Sequence, residues 1–239
     1  MRYCAKIQYI GKNYAGSQKQ PNANTIQGEL EKAISTLINQ NIKTVFSGRT
    51  DAGVNALGQV FHMDIEEDIV ASNFLHSLNE LLPNDICVLD LKGVDASFHA
   101  QKSAKSKHYQ YELSCHSEGV SPKNLFDLER MQTALNYLKG EHDFTSFKNA
   151  GTLNPSKVCF IEHAEVNRQG DEVIVDIVGN RFLYKMIRTI IGTLLFIEKE
   201  NLPPEHMKSV LEAKDRTKAG KTVSPYGLTL IKVNYGENK

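Results

Sequence analysis

The chain has 239 residues, 28 lysines and arginines against 28 aspartates and glutamates, and therefore no formal net charge. With 41% hydrophobic and 23% charged residues it has an ordinary globular composition, which excludes disordered, collagen-like and fibrous classes. The length suits one large domain or two small ones with a real core.

In chain order, Tyr3, Ala5, Ile7 and Tyr9 alternate as in a strand. Thr25 is placed to cap a helix whose apolar residues Ile26, Leu30, Ala33, Ile34, Leu37 and Ile38 follow the helical period. Short β-type runs at 43–47 and 58–65 flank a glycine-rich turn. A helix over 72–82, ended by Pro83, leads to a strand at 86–91. The second half repeats the order. A strand at 107–114 precedes a helix from about Asp127 to Leu138, stopped at Gly140. Strands at 158–167 and 171–178 are joined through Gln169-Gly170, a hairpin turn. A long apolar helix is expected from near Phe182, a second over 204–213, and a strand over 227–235. Two successive β-α-β-β-α-β units predict an α+β fold of two ferredoxin-like halves, 1–100 and 101–239, joined around a central mixed or antiparallel sheet with a cleft between them.

The opening MRYCAKIQYIG has neither the basic stretch nor the apolar run of a signal peptide, so secretion is not expected. The longest apolar segment, Phe182 to Ile197, contains Lys185 and Arg188 and is too short for a bilayer, so no membrane partner is expected. Cys4, Cys87, Cys115 and Cys159 form no CxxC, and read as reduced thiols of a cytoplasmic protein. The eight histidines show no HxxxH spacing, and Cys115-His116, adjacent on a strand, would point to opposite faces; no metal site is expected.

Neutrality conceals segregation. Residues 1–50 carry a net charge of +5, 62–96 carry −7, 97–124 carry +2, 125–179 carry −4 and 180–239 carry +5. Gln101 to Tyr111 holds Lys102, Lys105, Lys107, His108 and two tyrosines without an acid; Asn180 to Arg188 holds three cations and two aromatics. Cations that neutralise phosphates beside rings that stack on bases are the ingredients of RNA binding. The loop Ser47 to Gly58 then sets Arg49 and Asp51 among three glycines. Glycines allow close backbone approach, so such a turn can present a carboxylate in a fixed pose.

The run Arg49-Thr50-Asp51-Ala52-Gly53-Val54 resembles the signature of the tRNA pseudouridine synthase A family. The likeness spans nearly the whole chain. It includes Tyr9-x-Gly11 with Gly16, Gln18, Gln20 and Pro21, then Leu78-Asn79 with Leu82-Pro83, and Phe98-His99-Ala100 with Ser103-Ala104. It continues through Gly140-Glu141-His142-Asp143-Phe144, Asn180-x-Phe182 to Arg188, and Ala213-Lys214-Asp215-Arg216. The resemblance implies isomerisation of uridine to pseudouridine in the anticodon stem and loop of tRNA, at positions 38, 39 and 40, by a homodimer without a cofactor.

Asp51 would be the essential carboxylate, either attacking C1′ or drawing a proton from C2′ to give a glycal; both routes stay open. Arg188 would pair with it and keep it ionised. Tyr109 would stack on the uracil, and Arg49 would displace the target nucleotide from its stack. Lys102, Lys105, Lys107 and Lys185 are expected to bind RNA. The chain departs from the family pattern at Ser17, where tryptophan is usual, at Asn55, where histidine is common, and at Gln101 and Lys102, where an arginine and an aromatic are favoured. Competing readings are a two-carboxylate glycosidase, for which no second carboxylate belongs to the matched motifs, and a non-catalytic RNA-binding module or RNA chaperone.

Overall fold

The computed structural model describes residues 1–66, 68–113, 126–150 and 156–236. Cys115, His116 and the last residue of the strand expected at 107–114 lie outside the described residues. Contacts group the described chain into two compact units, Met1–Lys105 with Thr229–Lys239, and Ser106–Leu228.

The first unit runs β1 (Arg2–Tyr9), α1 (Ile26–Ile38), β2 (Thr44–Phe46), β3 (Asn55–Asp64), α2 (Ala71–Leu81) and β4 (Ile86–Val94). β1 lies between β3 and β4, antiparallel to both, and β2 pairs with the far side of β3. The strand order 4-1-3-2 is that of a ferredoxin-like sheet. Thr25 caps α1 as its sequence position predicts: its Oγ1 accepts the Gly28 N–H at 3.2 Å. The apolar stripe of α1, with Ile26, Leu30 and Ile34 fully buried, packs inward, and α2 packs on β4 and against α1. β9 (Leu228–Asn234) adds a parallel neighbour to β3, with Asn55 facing Thr229 and Ala56 facing Leu230.

The second unit runs β5 (Ser106–Leu113), α3 (Leu128–Asn136), β6 (Gly140–Asp143), β7 (Val158–Gln169), β8 (Glu172–Gly179), α4 (Met186–Lys199) and α5 (His206–Ala213). Its antiparallel sheet has the order β5-β8-β7-β6. The β7–β8 hairpin turns at Gly170, whose φ of +63° suits glycine. The α+β class and the repeated element order agree with the sequence reading.

Two elements differ from that reading. β6 has no signal in the sequence, because Gly-Glu-His-Asp lacks apolar alternation; it forms by pairing with the edge of β7. α4 begins at Met186 rather than near Phe182, because Lys185 takes the left-handed conformation at φ +60° and cannot continue a helix backward. Among the described residues no helix is long and apolar enough to cross a membrane, and no group of three or more His, Cys, Asp or Glu side chains could hold a metal ion.

Candidate active site

The residues singled out by sequence fall into two groups, one in each unit. In the first unit, Asp51 lies half-buried in the turn between β2 and β3, with Arg49 exposed two residues before it. The turn is fastened at several points. Ser47 is fully buried, its N–H donates to the Val60 carbonyl at 2.8 Å, and its Oγ donates to Gln59 Oε1 at 2.6 Å. The Gln59 amide then donates to the Gly48 carbonyl at 2.9 Å. After Asp51, the Val54 N–H closes a turn onto the Asp51 carbonyl at 3.2 Å, with Gly53 at φ +81°. Asn55 Oδ1 accepts the Gly11 N–H at 2.9 Å.

The residue just before the carboxylate is held most closely. Thr50 donates its N–H to Ser17 Oγ at 2.8 Å and accepts the Ser17 N–H on its carbonyl at 3.1 Å. Its hydroxyl meets the Tyr9 hydroxyl at 2.9 Å. Burial pushes the Tyr9 phenol up to about 12, against the opposing hydrogen bonds from Thr50, Gln59 and Ser17, so Tyr9 stays a neutral partner. Beside Arg49 opens a cavity of about 190 Å³ lined by Ser17, Gln18, Gln27, Phe46 and Gln101 among others. Lys102 and Lys105 follow Gln101 as exposed cations. Sequence reasoning marked Asp51 and Arg49 but missed Ser17 and Tyr9 as supports of the turn.

In the second unit, Lys107 and Tyr109 stand on one face of β5. Tyr109 is buried, and its ring meets Phe182 edge-on at 5.3 Å. Lys107 is half-buried opposite Gly179, and burial lowers its ammonium below the usual lysine range. Lys185, at the left-handed start of α4, lies 5.0 Å from the ring centre of Tyr184.

Arg188, half-buried in the first turn of α4, is oriented by an extended strap over residues 219–224. Its Nε donates to the Val223 carbonyl at 2.9 Å, and the Val223 N–H returns to the Arg188 carbonyl at 3.3 Å. The strap is drawn tight against α4. A Cβ on Gly192 would lie 1.8 Å from the Lys221 carbonyl oxygen, and the Gly220 N–H donates to the buried Thr193 Oγ1 at 2.9 Å. Arg216 ties the strap's base: its guanidinium reaches Asn149 Oδ1 at 2.9 Å, the Ala219 and Gly220 carbonyls at 3.3 and 3.1 Å, and Thr222 Oγ1 at 3.1 Å. The motif Ala-Lys-Asp-Arg drew attention to Arg216; nothing local in sequence said that it holds the strap.

Chemically, the first unit offers a carboxylate on a stiffened turn beside an exposed arginine. The second offers a buried ring pair and an oriented guanidinium.

The family profile described as tRNA pseudouridine synthase matches residues 5–110 and 134–236. Similar proteins include the tRNA pseudouridine synthase A of Colwellia psychrerythraea, 42% identical over 246 residues covering 100% of this chain and 95% of the relative. That of Francisella philomiragia is 40% identical over 98% of this chain and 94% of its own, and that of Ehrlichia canis 38% identical over 98% and 100%. Identity at this level over matching lengths, with a family profile that covers most of the chain, establishes that the protein belongs to the tRNA pseudouridine synthase A family.

Proposed function

We infer that this protein is an isomerase converting uridine to pseudouridine in the anticodon stem and loop of tRNA, with positions 38, 39 and 40 as its targets. The observation that carries the reading is Asp51, a carboxylate in a turn hydrogen-bonded on both sides, in a chain of this family. In the reaction the C1′–N1 bond breaks, the uracil turns, C5 joins C1′, and the C5 proton is lost while N1 gains one; atoms are conserved and no redox partner is required. Asp51 initiates it at C1′ or C2′.

Arg188, whose Nε donates to the Val223 carbonyl, is assigned to pairing with Asp51, the role that the family resemblance implies. Tyr109 is assigned to the uracil face, supported by its packing at the Phe182 edge. Arg49 is assigned to displacing the target nucleotide, supported by its exposure beside the cavity. Lys102, Lys105, Lys107 and Lys185 are assigned to phosphates. The working form is taken as a cytoplasmic homodimer; light scattering should then give twice 26.8 kDa.

The test is tritium release from 5-tritiated uridine in tRNA. Asp51→Ala should lower release by about 10³-fold or more, with tRNA affinity kept within a few-fold. Unchanged release would remove Asp51 from the mechanism. Absence of release from the unmodified protein would favour a non-catalytic RNA-binding module.

A further inference from the structure

We propose that Ser17 is a positioning residue for Asp51, acting through Thr50 with Tyr9 as its second arm. The inference rests on the assignment of Asp51 as the reacting carboxylate. The side chain of an aspartate has two rotatable bonds, so its carboxylate is only as well placed as the backbone beneath it. Here that backbone is held on the carboxyl side by the turn from the Asp51 carbonyl to the Val54 N–H. On the amino side the Thr50 N–H donates to the side chain of Ser17, whose Oγ lies 2.8 Å away. The Ser17 N–H completes a two-way clasp on the Thr50 carbonyl at 3.1 Å.

Ser17 can do this because it is placed by its own anchors. It is 1% exposed, and its carbonyl accepts the Gln27 N–H at 2.9 Å from the first turn of α1. The preceding Gly16 has φ +100°, and a Cβ there would lie 2.9 Å from the Thr50 carbonyl, so the two segments are in backbone contact. The clasp thus links the start of α1 to the residue preceding the carboxylate. Tyr9, on β1, fixes the Thr50 hydroxyl at 2.9 Å and keeps its side chain turned inward.

A displacement of about 1 Å at a reacting group costs on the order of 100-fold in rate, and loss of one of several tethers gives part of that. Ser17→Ala removes the Oγ and leaves the backbone half. Measured by single-turnover pseudouridine formation in saturating enzyme, its rate should fall about 10-fold, with KM and tRNA affinity within 2-fold of the parent. Ser17→Thr restores the oxygen and should recover the rate to within about 3-fold. Tyr9→Phe, which deletes only the hydroxyl, should show the same split between rate and affinity and serves if Ser17→Ala does not fold.

An unaltered rate in folded Ser17→Ala, or in Tyr9→Phe where Ser17→Ala does not fold, would overturn the proposal, as would equal losses in rate and affinity or a Ser17→Thr enzyme as slow as Ser17→Ala. Failure of the parent protein itself to form pseudouridine would instead defeat the functional reading on which the proposal rests.

Discussion

Gly11 leaves no room for even a methyl group, since a Cβ there would lie 2.1 Å from the Val54 carbonyl oxygen. Gly11→Ala should therefore push on the turn that follows Asp51, lowering stability by about 3 kcal/mol in chemical denaturation and reducing pseudouridine formation with it. Single residues explain both what the sequence disclosed and what it did not. The run from Arg49 to Val54 is contiguous, so its chemistry is visible to anyone reading along the chain. The clasp from Ser17 to Thr50 crosses 33 positions, and no spacing rule connects a serine to a backbone N–H that far away. Asn55 is similar: a departure from the family pattern in sequence, it accepts the Gly11 N–H in the fold.

Among elements, α4 and its strap decide how Arg188 points. Arg216→Lys keeps the charge but loses the fork that gathers Asn149, two carbonyls and Thr222. The expected result is a fall in kcat of about 10-fold with KM little changed, read from steady-state assays across tRNA concentrations. Helical periodicity located α4, but not its start, because the left-handed Lys185 is a backbone choice that apolar spacing does not encode.

A second element-scale effect concerns the segment after β4. His62, on β3, accepts the Ala100 N–H on Nδ1 at 3.1 Å, while His99 packs 4.9 Å from its ring. Burial, then Arg2 and His99, lower the His62 pKa below 6.5, against a small opposing effect of Asp64. The unfolded chain therefore takes up the proton first. Stability is present above the ordinary histidine pKa and is lost as pH falls through it towards the folded value. Thermal midpoints should drop between about pH 7 and 5, and less so in His62→Asn, which keeps an acceptor without titrating. Equal slopes for the two proteins would rule out His62 as the source.

For the whole molecule, zero net charge describes the sum and conceals the segregation of charge along the chain. Lys102 and Lys105 are exposed in a block of net charge +2. Replacing both with alanine should weaken tRNA binding and make the slope of log affinity against log salt shallower by about 2, with Arg49 and Asp51 untouched. The repeated β-α-β-β-α-β order was legible at this scale because it rests on alternation and helical period, which are local. Strand partnership is not local. Nothing in Leu228–Asn234 announces that it will run parallel to β3, nor that it groups from Thr229 onward with the unit begun 228 residues earlier.

That return has a consequence for how the enzyme comes into being. On a ribosome, residues 1–105 emerge first, yet the strand beside Asn55 and Ala56 is made only after all of 106–228. The turn bearing Asp51 is therefore missing a flank throughout most of synthesis. A chain broken off in its second unit lacks the strand that backs Gly58, where a Cβ would lie 2.3 Å from the Ile231 carbonyl. Competence arrives late in translation, so interrupted products would carry the signature motif without the assembled site.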